Sequence, residues 1–437
     1  MHELRALLRL TGPLLITQLG NMLLGVVDTA VVGRLGEVPL GAVGLGNAVF
    51  FTLSVLGFGW MLALDPLIAQ AVGAGEKRRA RHLLWQGVWV AAGGAVPLTL
   101  LVVLVTENVG RFGVPPETVR EVTPYLYARL IGLAPFLVLA ASRAFLQARE
   151  VTRPLVIGVI LANVLNLPLT WGLVFGELGL PRLGTAGAGW ASAFATCVQL
   201  AVALLAVTKL WGPHRRFHPP ALAPIRKVLK LGTPIGLQLA AEVGSFAIVT
   251  VLMSRLGTLA LGAHNVALTL ISTTFQVAVA LGAATAVRVG HAVGRSDAPG
   301  TRRSGLTGIA AGAGAMLAGA ALFLTVPAHL ARVITDEAEV IAAAVPLFAV
   351  AAAFQISDGV QAVAAGALRG AGDTRWPLVA NLVGHYAIGV PLGATLAFTL
   401  EMGAVGLWWG LSAGLTAVAI GLTARFAWLS RRPIARA

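Results

Sequence analysis

Long apolar stretches separated by short polar connections run through the whole chain. An α-helix needs about twenty apolar residues to cross the hydrocarbon core of a bilayer. Twelve stretches reach that length, at about 10–33, 40–66, 83–106, 124–147, 155–176, 185–208, 229–254, 260–287, 304–327, 338–365, 376–399 and 403–428. The pattern predicts an all-α integral membrane protein with twelve transmembrane helices.

The composition agrees with a protein embedded in lipid. Soluble domains carry roughly 25% charged residues, whereas this chain has 57% hydrophobic and 11% charged residues. The single cysteine, Cys197, excludes an intramolecular disulfide and a Cys-rich metal site. Lys and Arg number 32 against 18 Asp and Glu, but the basic residues cluster at the ends of apolar segments. We therefore expect a lipid bilayer around the chain, and no nucleic-acid partner.

The basic residues also predict an orientation, because Lys and Arg accumulate in cytoplasmic loops. When the N-terminus, every second loop and the C-terminus are assigned to one side, that side receives 25 of the 32 basic residues. The other side receives the remaining 7, which are Arg34, Arg111, Arg120, Arg129, Arg182, Arg255 and Arg332. We expect a multi-pass protein of the plasma (inner) membrane with both termini in the cytoplasm, its first helix uncleaved.

The two halves of the chain repeat each other at a constant offset. Arg-Leu-Gly at 34–36 returns at 255–257, and Pro13 returns in the same register as Pro234. Each half holds six helices, an even number, so both halves enter the membrane from the same face and form a parallel repeat about an axis along the membrane normal. We predict an N-terminal six-helix lobe at 1–210, a cytoplasmic linker at 211–227 and a C-terminal six-helix lobe at 228–437. Runs such as "GAVGLG", "GAGAMLAGA" and "GTAGAGWASA" are typical of close helix packing in membranes.

Four acids fall inside the predicted spans, namely Asp28, Asp65, Glu242 and Asp358. A charge at the bilayer centre costs about 2.5–3.5 kcal/mol on insertion scales, so such acids are candidates for function. Asp65 lies near the cytoplasmic end of its span, immediately before Pro66. We expect a structural role for Asp65, such as capping a helix or pairing with the basic loop at 77–81.

Helical spacing places further polar residues beside the acids of the C-terminal half. The seventh helix carries Gln238, Glu242 and Ser245 on one face, the tenth carries Gln355, Asp358 and Gln361, and the eighth carries Asn265, Thr269, Ser272 and Gln276. Polar stripes on several helices predict the wall of a hydrated cavity. The alternative is that each acid is a protonated carboxyl that only hydrogen-bonds neighbouring helices.

The N-terminal half offers a second polar pocket. Asp28 shares a face of the first helix with Gln18 and Asn21, and the fifth helix carries Asn163, Asn166 and Thr170 on one face. Interhelical hydrogen bonding alone is again the alternative.

The sequence lacks the motifs of energy-coupled or hydrolytic enzymes. It contains no GxxxxGK[ST], no HExxH and no GxSxG, so we expect neither ATP-driven pumping nor enzymatic activity from this chain. His264, His291 and His385 have no second ligand at a metal-like spacing, and we expect them to join polar networks. The only metal site we consider is one for Na⁺ at Glu242 and Asp358.

Five segments resemble motifs of the multidrug and toxic compound extrusion family, in the order that the family has them. They are "VDTAVVGRLG", "ALDPLIAQAVGAG", "LGAHNV", "VRVGHAVG" and "ISDGVQAVAAGALRGAGDTRWPL", the last being most similar to the NorM-type branch. The resemblance implies two six-helix lobes in an outward-opening V, and export of mostly cationic organic compounds driven by inward Na⁺ or H⁺ without a cofactor.

By motif position, the resemblance places Asp28, Glu242 and Asp358 where this family has its functional acids. Archaeal-type members carry an Asp in the fifth helix where this chain has Thr170. A proton switch of that archaeal kind is therefore not implied for the N-terminal lobe.

Together the residues and the resemblance predict a monomeric antiporter in which a coupling ion and a cationic amphipathic small molecule compete for the same acids. One alternative is a flippase for lipid-linked intermediates. It would need cationic residues in the cavity, whereas the mid-membrane charges predicted from the sequence are acids. A membrane-embedded enzyme or a channel is a further alternative, which the missing catalytic motifs and the two-lobe repeat respectively disfavour.

Overall fold

The computed structural model describes residues 2–211 and 217–437, and these residues form helices, turns and irregular segments but no strand. Eleven helices are individually long and apolar enough to span a membrane, and one bent pair brings the number to twelve. The prediction of twelve transmembrane helices is therefore confirmed. We number the spans α1 (His2–Val32), α2 (Glu37–Gly73), α3 (Lys77–Asn108), α4 (Pro116–Leu130 with Leu133–Ala148), α5 (Arg153–Phe175), α6 (Thr185–Trp211), α7 (Leu222–Arg255), α8 (Thr258–Gly294), α9 (Ala298–Thr325), α10 (Ala338–Gly370), α11 (Arg375–Thr399) and α12 (Gly403–Leu429).

The predicted linker at 211–227 is partly helical. α6 ends at Trp211 and α7 begins at Leu222, so residues 222–227 belong to a helix. Residues 217–221 are extended or irregular, and the backbone around them accepts hydrogen bonds from α3. Residues 212–216 of the predicted linker lie outside the described residues. The basic residues Arg226, Lys227 and Lys230 are thus held on the first turns of α7.

Two spans are irregular in ways that hydropathy does not reveal. α4 bends by 46° at the break between Leu130 and Leu133. α11 contains two π-helical stretches, Leu382–Gly389 and Thr395–Thr399. Breaks and π-turns of this kind re-aim side chains within a span and are frequent at functional sites.

Some glycines of the small-residue runs lie at close helix contacts, whereas others, such as Gly41 and Gly314, have nothing near them. A Cβ added to Gly189 of α6 would lie 2.7 Å from the carbonyl oxygen of Tyr125 on α4. One added to Gly312 of α9 would lie 2.8 Å from the Val363 side chain on α10. Glycine is needed at both positions because the neighbouring helix occupies the space of a side chain.

The helices form two compact units. The first contains residues up to Leu15, Ala69–Gly75 and Leu237–Ala437, and the second contains Ile16–Ile68 and Glu76–Gly236. α1 and α7 each pass from one unit into the other. They do so at Ile16 and Leu237, which occupy corresponding positions of the sequence repeat.

Each unit has its own buried core. In the first unit, Phe348, Phe354 and Trp408 are fully buried among apolar side chains. In the second, Tyr125 and Phe145 are fully buried. These cores fix the helix faces that carry the polar residues described next.

The first turn of α1 is bound tightly within the first unit. The guanidinium of Arg288 on α8 donates to both carboxylate oxygens of Glu3, over 3.0 and 2.9 Å. Ser304 of α9 donates to the same carboxylate over 2.8 Å. A bidentate, charge-assisted pair of this geometry is stronger than a neutral hydrogen bond, so it holds the start of α1 against α8 and α9.

Candidate transport sites

The C-terminal half brings Glu242 of α7 and Asp358 of α10 together. The amide of Gln361, one turn beyond Asp358, donates to Glu242 Oε1 over 3.2 Å. The Asp358 side chain is 5% exposed, and its carboxyl is close enough to Glu242 for their negative charges to repel. The sequence-predicted neighbours Glu242, Asp358 and Gln361 thus occupy one site.

Asp358 is buried and Glu242 is partly buried, so their mutual repulsion disfavours the state in which both carboxyls are ionised without a compensating positive charge. The repulsion is relieved by a proton on one carboxyl, by a bound Na⁺, or by the positive group of an organic cation, each of which reduces the two negative charges of the pair to one. Each of these occupants displaces the others because they satisfy the same charge. The arrangement can therefore exchange one cation for another.

The remaining polar residues predicted for the C-terminal half do not all converge on this pair. Gln355 is fully buried and donates to Thr274 of α8 over 2.6 Å. Gln276 donates to the Ser272 carbonyl oxygen of its own helix over 3.3 Å, Gln238 is buried, and Asn265 is exposed. Thr274 lies off the polar stripe on α8 that the spacing indicated, so periodicity alone did not identify it.

The N-terminal half surrounds Asp28 of α1 with neutral hydrogen-bond donors. Thr170 donates to Asp28 Oδ1 over 3.2 Å, and Asn166, also on α5, donates to the same oxygen over 3.4 Å. Ser192 of α6 donates to Oδ2. Asp28 is 1% exposed, so these three donors replace the water that the carboxylate loses on burial.

Asn163 is not part of the Asp28 cluster, although the sequence placed it on the same helix face as Asn166. Its amide donates to the carbonyl oxygens of Gly20 and Val159, over 2.9 and 2.8 Å. Ser192, which does contact Asp28, was not predicted. Ser192 is a hydroxyl residue inside the run "GTAGAGWASA" of α6, which the sequence pattern indicates only as a site of close helix packing.

The sequence also did not identify Arg129 as a site residue, because the charge pattern places Arg129 among the seven basic residues on the outer side of the membrane. It is the penultimate residue of the first segment of α4, Pro116–Leu130, directly before the break. Its Cζ lies 4.7 Å from the ring centroid of Phe50 and 5.9 Å from that of Tyr125. It also interacts electrostatically with Asp28. Asp28 therefore has a basic residue near it, which the sequence did not indicate.

Two further expectations concern single residues. Asp65 is buried at the first turn of the second segment of α2, Leu64–Gly73. The structural role expected for Asp65 stays a prediction. Of the histidines, His264 shares a hydrogen bond with Thr250, at 3.1 Å, whereas both ring nitrogens of His385 lack a hydrogen-bond partner among the described residues. The prediction that His385 joins a polar network is thus wrong for the described protein groups.

Comparison with known proteins agrees with the repeat. A family model described as MatE matches residues 13–171 and again 234–395, so the two matches begin at Pro13 and Pro234, the prolines that the repeat aligns. The chain is 38% identical to "Probable multidrug resistance protein NorM" of Deinococcus radiodurans, over 98% of this chain and 96% of that protein. It is 32% identical to "Multidrug resistance protein NorM" of Aliivibrio fischeri, over 99% of this chain and 96% of that protein.

Solved structures show the same fold. The eukaryotic MATE transporter AtDTX14 superposes with a TM-score of 0.87 at 22% identity, with 98% of each chain covered. The Vibrio cholerae MATE transporter VcmN in its bent form gives 0.88 at 20% identity, covering 98% of this chain and 97% of that one. The twelve spans, the repeated family match and the full-length similarity lead to one conclusion: the chain belongs to the MatE family, the multidrug and toxic compound extrusion transporters.

Proposed function

We propose that this chain is a secondary active exporter that expels cationic organic compounds in exchange for inward H⁺ or Na⁺, by alternating access. It is a multi-pass membrane transporter and not an enzyme. The observation that carries the proposal is that Glu242 and Asp358 share one site, in which Gln361, one turn from Asp358, donates to Glu242. Relatives named as multidrug resistance proteins support drug-like cations as the cargo.

Exchange follows from the charge of the pair. When the substrate cation leaves, the carboxyls must accept another positive charge, because otherwise the cavity would close around two uncompensated negative charges. When the coupling ion leaves, the site regains its affinity for the substrate. Transport of either species alone is disfavoured, and the ion gradient drives export.

The coupling ion is H⁺ or Na⁺, and no cofactor is needed. Coupling to H⁺ requires only that one carboxyl of the pair binds and releases a proton. Na⁺ would need several oxygen ligands, for which the carboxylates of Glu242 and Asp358 and the amide oxygen of Gln361 are suitable groups.

We assign a supporting role to the N-terminal half. Asp28 is stabilised by three neutral donors and by the nearby Arg129, so this cluster contains one negative and one positive charge. Thr170 can donate a hydrogen bond but cannot titrate. A net-neutral cluster attracts a cationic substrate less strongly than two unneutralised carboxyls do.

We further propose that the protein works as a monomer in the plasma (inner) membrane. Its termini and the 211–227 linker would face the cytoplasm, between functional lobes at 1–210 and 228–437. The asymmetric distribution of Lys and Arg supports this orientation. A flippase for anionic lipid-linked cargo is not favoured, because Asp28 offsets the charge of Arg129.

Proteoliposomes provide the test. Efflux of a cationic dye should respond to a Na⁺ or a pH gradient imposed separately, and a trans excess of substrate should accelerate exchange. A dye flux that is independent of both gradients and shows no counterflow would contradict the antiport mechanism and favour a channel.

A further inference from the structure

The cytoplasmic start of α7 contains a cavity that the transport mechanism does not use. The cavity has a volume of about 560 Å³ and is lined by Arg226, Leu229, Lys230 and Thr233. Both basic residues are exposed. The cavity therefore combines two cations with one apolar side chain and one hydroxyl.

The polar groups of this cavity are available to a ligand. Among the described residues, neither Arg226 nor Lys230 makes an ion pair or a side-chain hydrogen bond. Thr233 accepts a hydrogen bond from the indole of Trp60 over 3.1 Å, and its own hydroxyl proton has no acceptor in the described part of the chain. Lys227 and Arg79 lie close enough to repel each other, which adds positive charge nearby without neutralising the cavity.

The depth of the cavity matches a lipid headgroup. Residues 231–254 of α7 contain a single acid, Glu242, and no basic residue, so Lys230 is the last cation before the long apolar part of the helix. Basic side chains at that position reach the phosphate level of the bilayer. Thr233 lies about one turn deeper than Lys230, and beyond it α7 continues as the apolar part of the helix, along which the acyl chains of a lipid would lie.

We propose that this cavity binds the phosphodiester of an anionic phospholipid. The guanidinium of Arg226 and the ammonium of Lys230 would donate to the phosphate oxygens, since basic clusters between helices on the cytoplasmic side bind anionic headgroups. Thr233 would donate to an oxygen of the phosphate or the glycerol, and Leu229 would contact the glycerol backbone.

The internal repeat supplies a matched control. The register that aligns Pro13 with Pro234 also brings Arg5 onto Arg226 and Arg9 onto Lys230, one helical turn apart on the first helix of each half. Arg5 and Arg9 are exposed and do not line the cavity. Removing either pair changes the net charge equally, so a difference between the two double variants reports on the cavity itself.

The experiment compares the full-length protein in nanodiscs of phosphatidylcholine with and without phosphatidylglycerol of the same acyl chains. Bound anionic lipid is counted by native mass spectrometry, and the melting temperature is measured in parallel. We expect phosphatidylglycerol to remain bound to the wild type and to raise its melting temperature. Each basic residue near a membrane surface contributes roughly fivefold in affinity, so Arg226→Gln with Lys230→Gln should lose roughly thirtyfold.

The control double variant, Arg5→Gln with Arg9→Gln, should keep the bound lipid and the thermal shift. Equal loss in both double variants would overturn the proposal, because it would show attraction to surface charge in general. An equal shift with phosphatidylcholine alone, or with inorganic phosphate in detergent, would also overturn it. If the double variant in the cavity does not fold, the single Lys230→Gln should lose roughly fivefold, and unchanged binding there would count against the site.

Discussion

The exchange mechanism depends on the ability of Asp358 to lose its proton or bind a cation, and Asp358→Asn removes that ability. The amide has nearly the same size, and the side chain is only 5% exposed, so the packing of α10 should be kept. The amide carries no charge at any pH. It would leave Glu242 as the only acid in the site, without the like-charge neighbour that forces exchange.

The size of the effect follows from the driving force. A tenfold ion gradient supplies about 1.4 kcal/mol for each ion exchanged. If one coupling ion replaces one monovalent substrate cation, a hundredfold gradient sustains a substrate ratio of roughly one hundred across the vesicle membrane. Without coupling the ratio falls to about one. Asp358→Asn should therefore abolish concentrative transport while equilibrium binding of the dye weakens only in part.

The assay measures the steady-state ratio of a cationic dye across proteoliposome membranes, normalised to reconstituted protein. Asp65→Asn is the matched control, because Asp65 is 6% exposed and the isosteric change is identical. We expect Asp65→Asn to retain most of the gradient-driven accumulation. Wild-type accumulation in both Asp358→Asn and Glu242→Gln would refute the C-terminal exchange site and would move attention to Asp28.

The remaining predictions concern the N-terminal half, the packing and the topology. Asp28→Asn should impair the same dye transport, whereas Thr170→Val should have a smaller effect, because Thr170 supplies a hydrogen bond to Asp28 but no titratable group; the reverse order of the two effects would contradict this assignment. Gly189→Leu should destabilise the protein by at least about 1–3 kcal/mol, because the added Cβ would lie 2.7 Å from the backbone oxygen of Tyr125; a lowered melting temperature with unchanged mass per particle is the measurement. A cysteine at position 215 in a Cys197-free variant should react with a membrane-impermeant maleimide only from the cytoplasmic side, and labelling from the outside alone would reverse the proposed orientation.

Much of the fold is a local property of the sequence and could be predicted from it. A segment such as 403–428 spans the membrane because its own side chains are apolar over the required length, whatever its neighbours are. The repeat is likewise visible without coordinates, since Pro13 and Pro234 keep the same register in both halves. The acids Glu242 and Asp358 stand out because ionisable groups are rare and costly within such segments.

The tertiary structure decided which polar groups meet. Helical periodicity places Asn163 and Asn166 on one face, but the rotation and depth of each helix are set by packing, so only Asn166 reaches Asp28. Ser192 donates a hydrogen bond to Asp28 because α6 packs close to α1. The side-chain pattern of α6 alone does not specify that packing.

Arg129 gives the physical reason most directly. A hydropathy profile shows α4 as one continuous apolar segment with a basic residue near its outer end. The profile does not show where the helix breaks or in which direction its second segment turns. The break after Leu130 bends the span by 46°, and Arg129, just before the break, lies against the faces of Phe50 and Tyr125. Sequence alone thus determined how many helices cross the membrane and which acids they carry. The packing of helices against one another determined which charges face each other, because that depends on contacts between residues far apart in the chain.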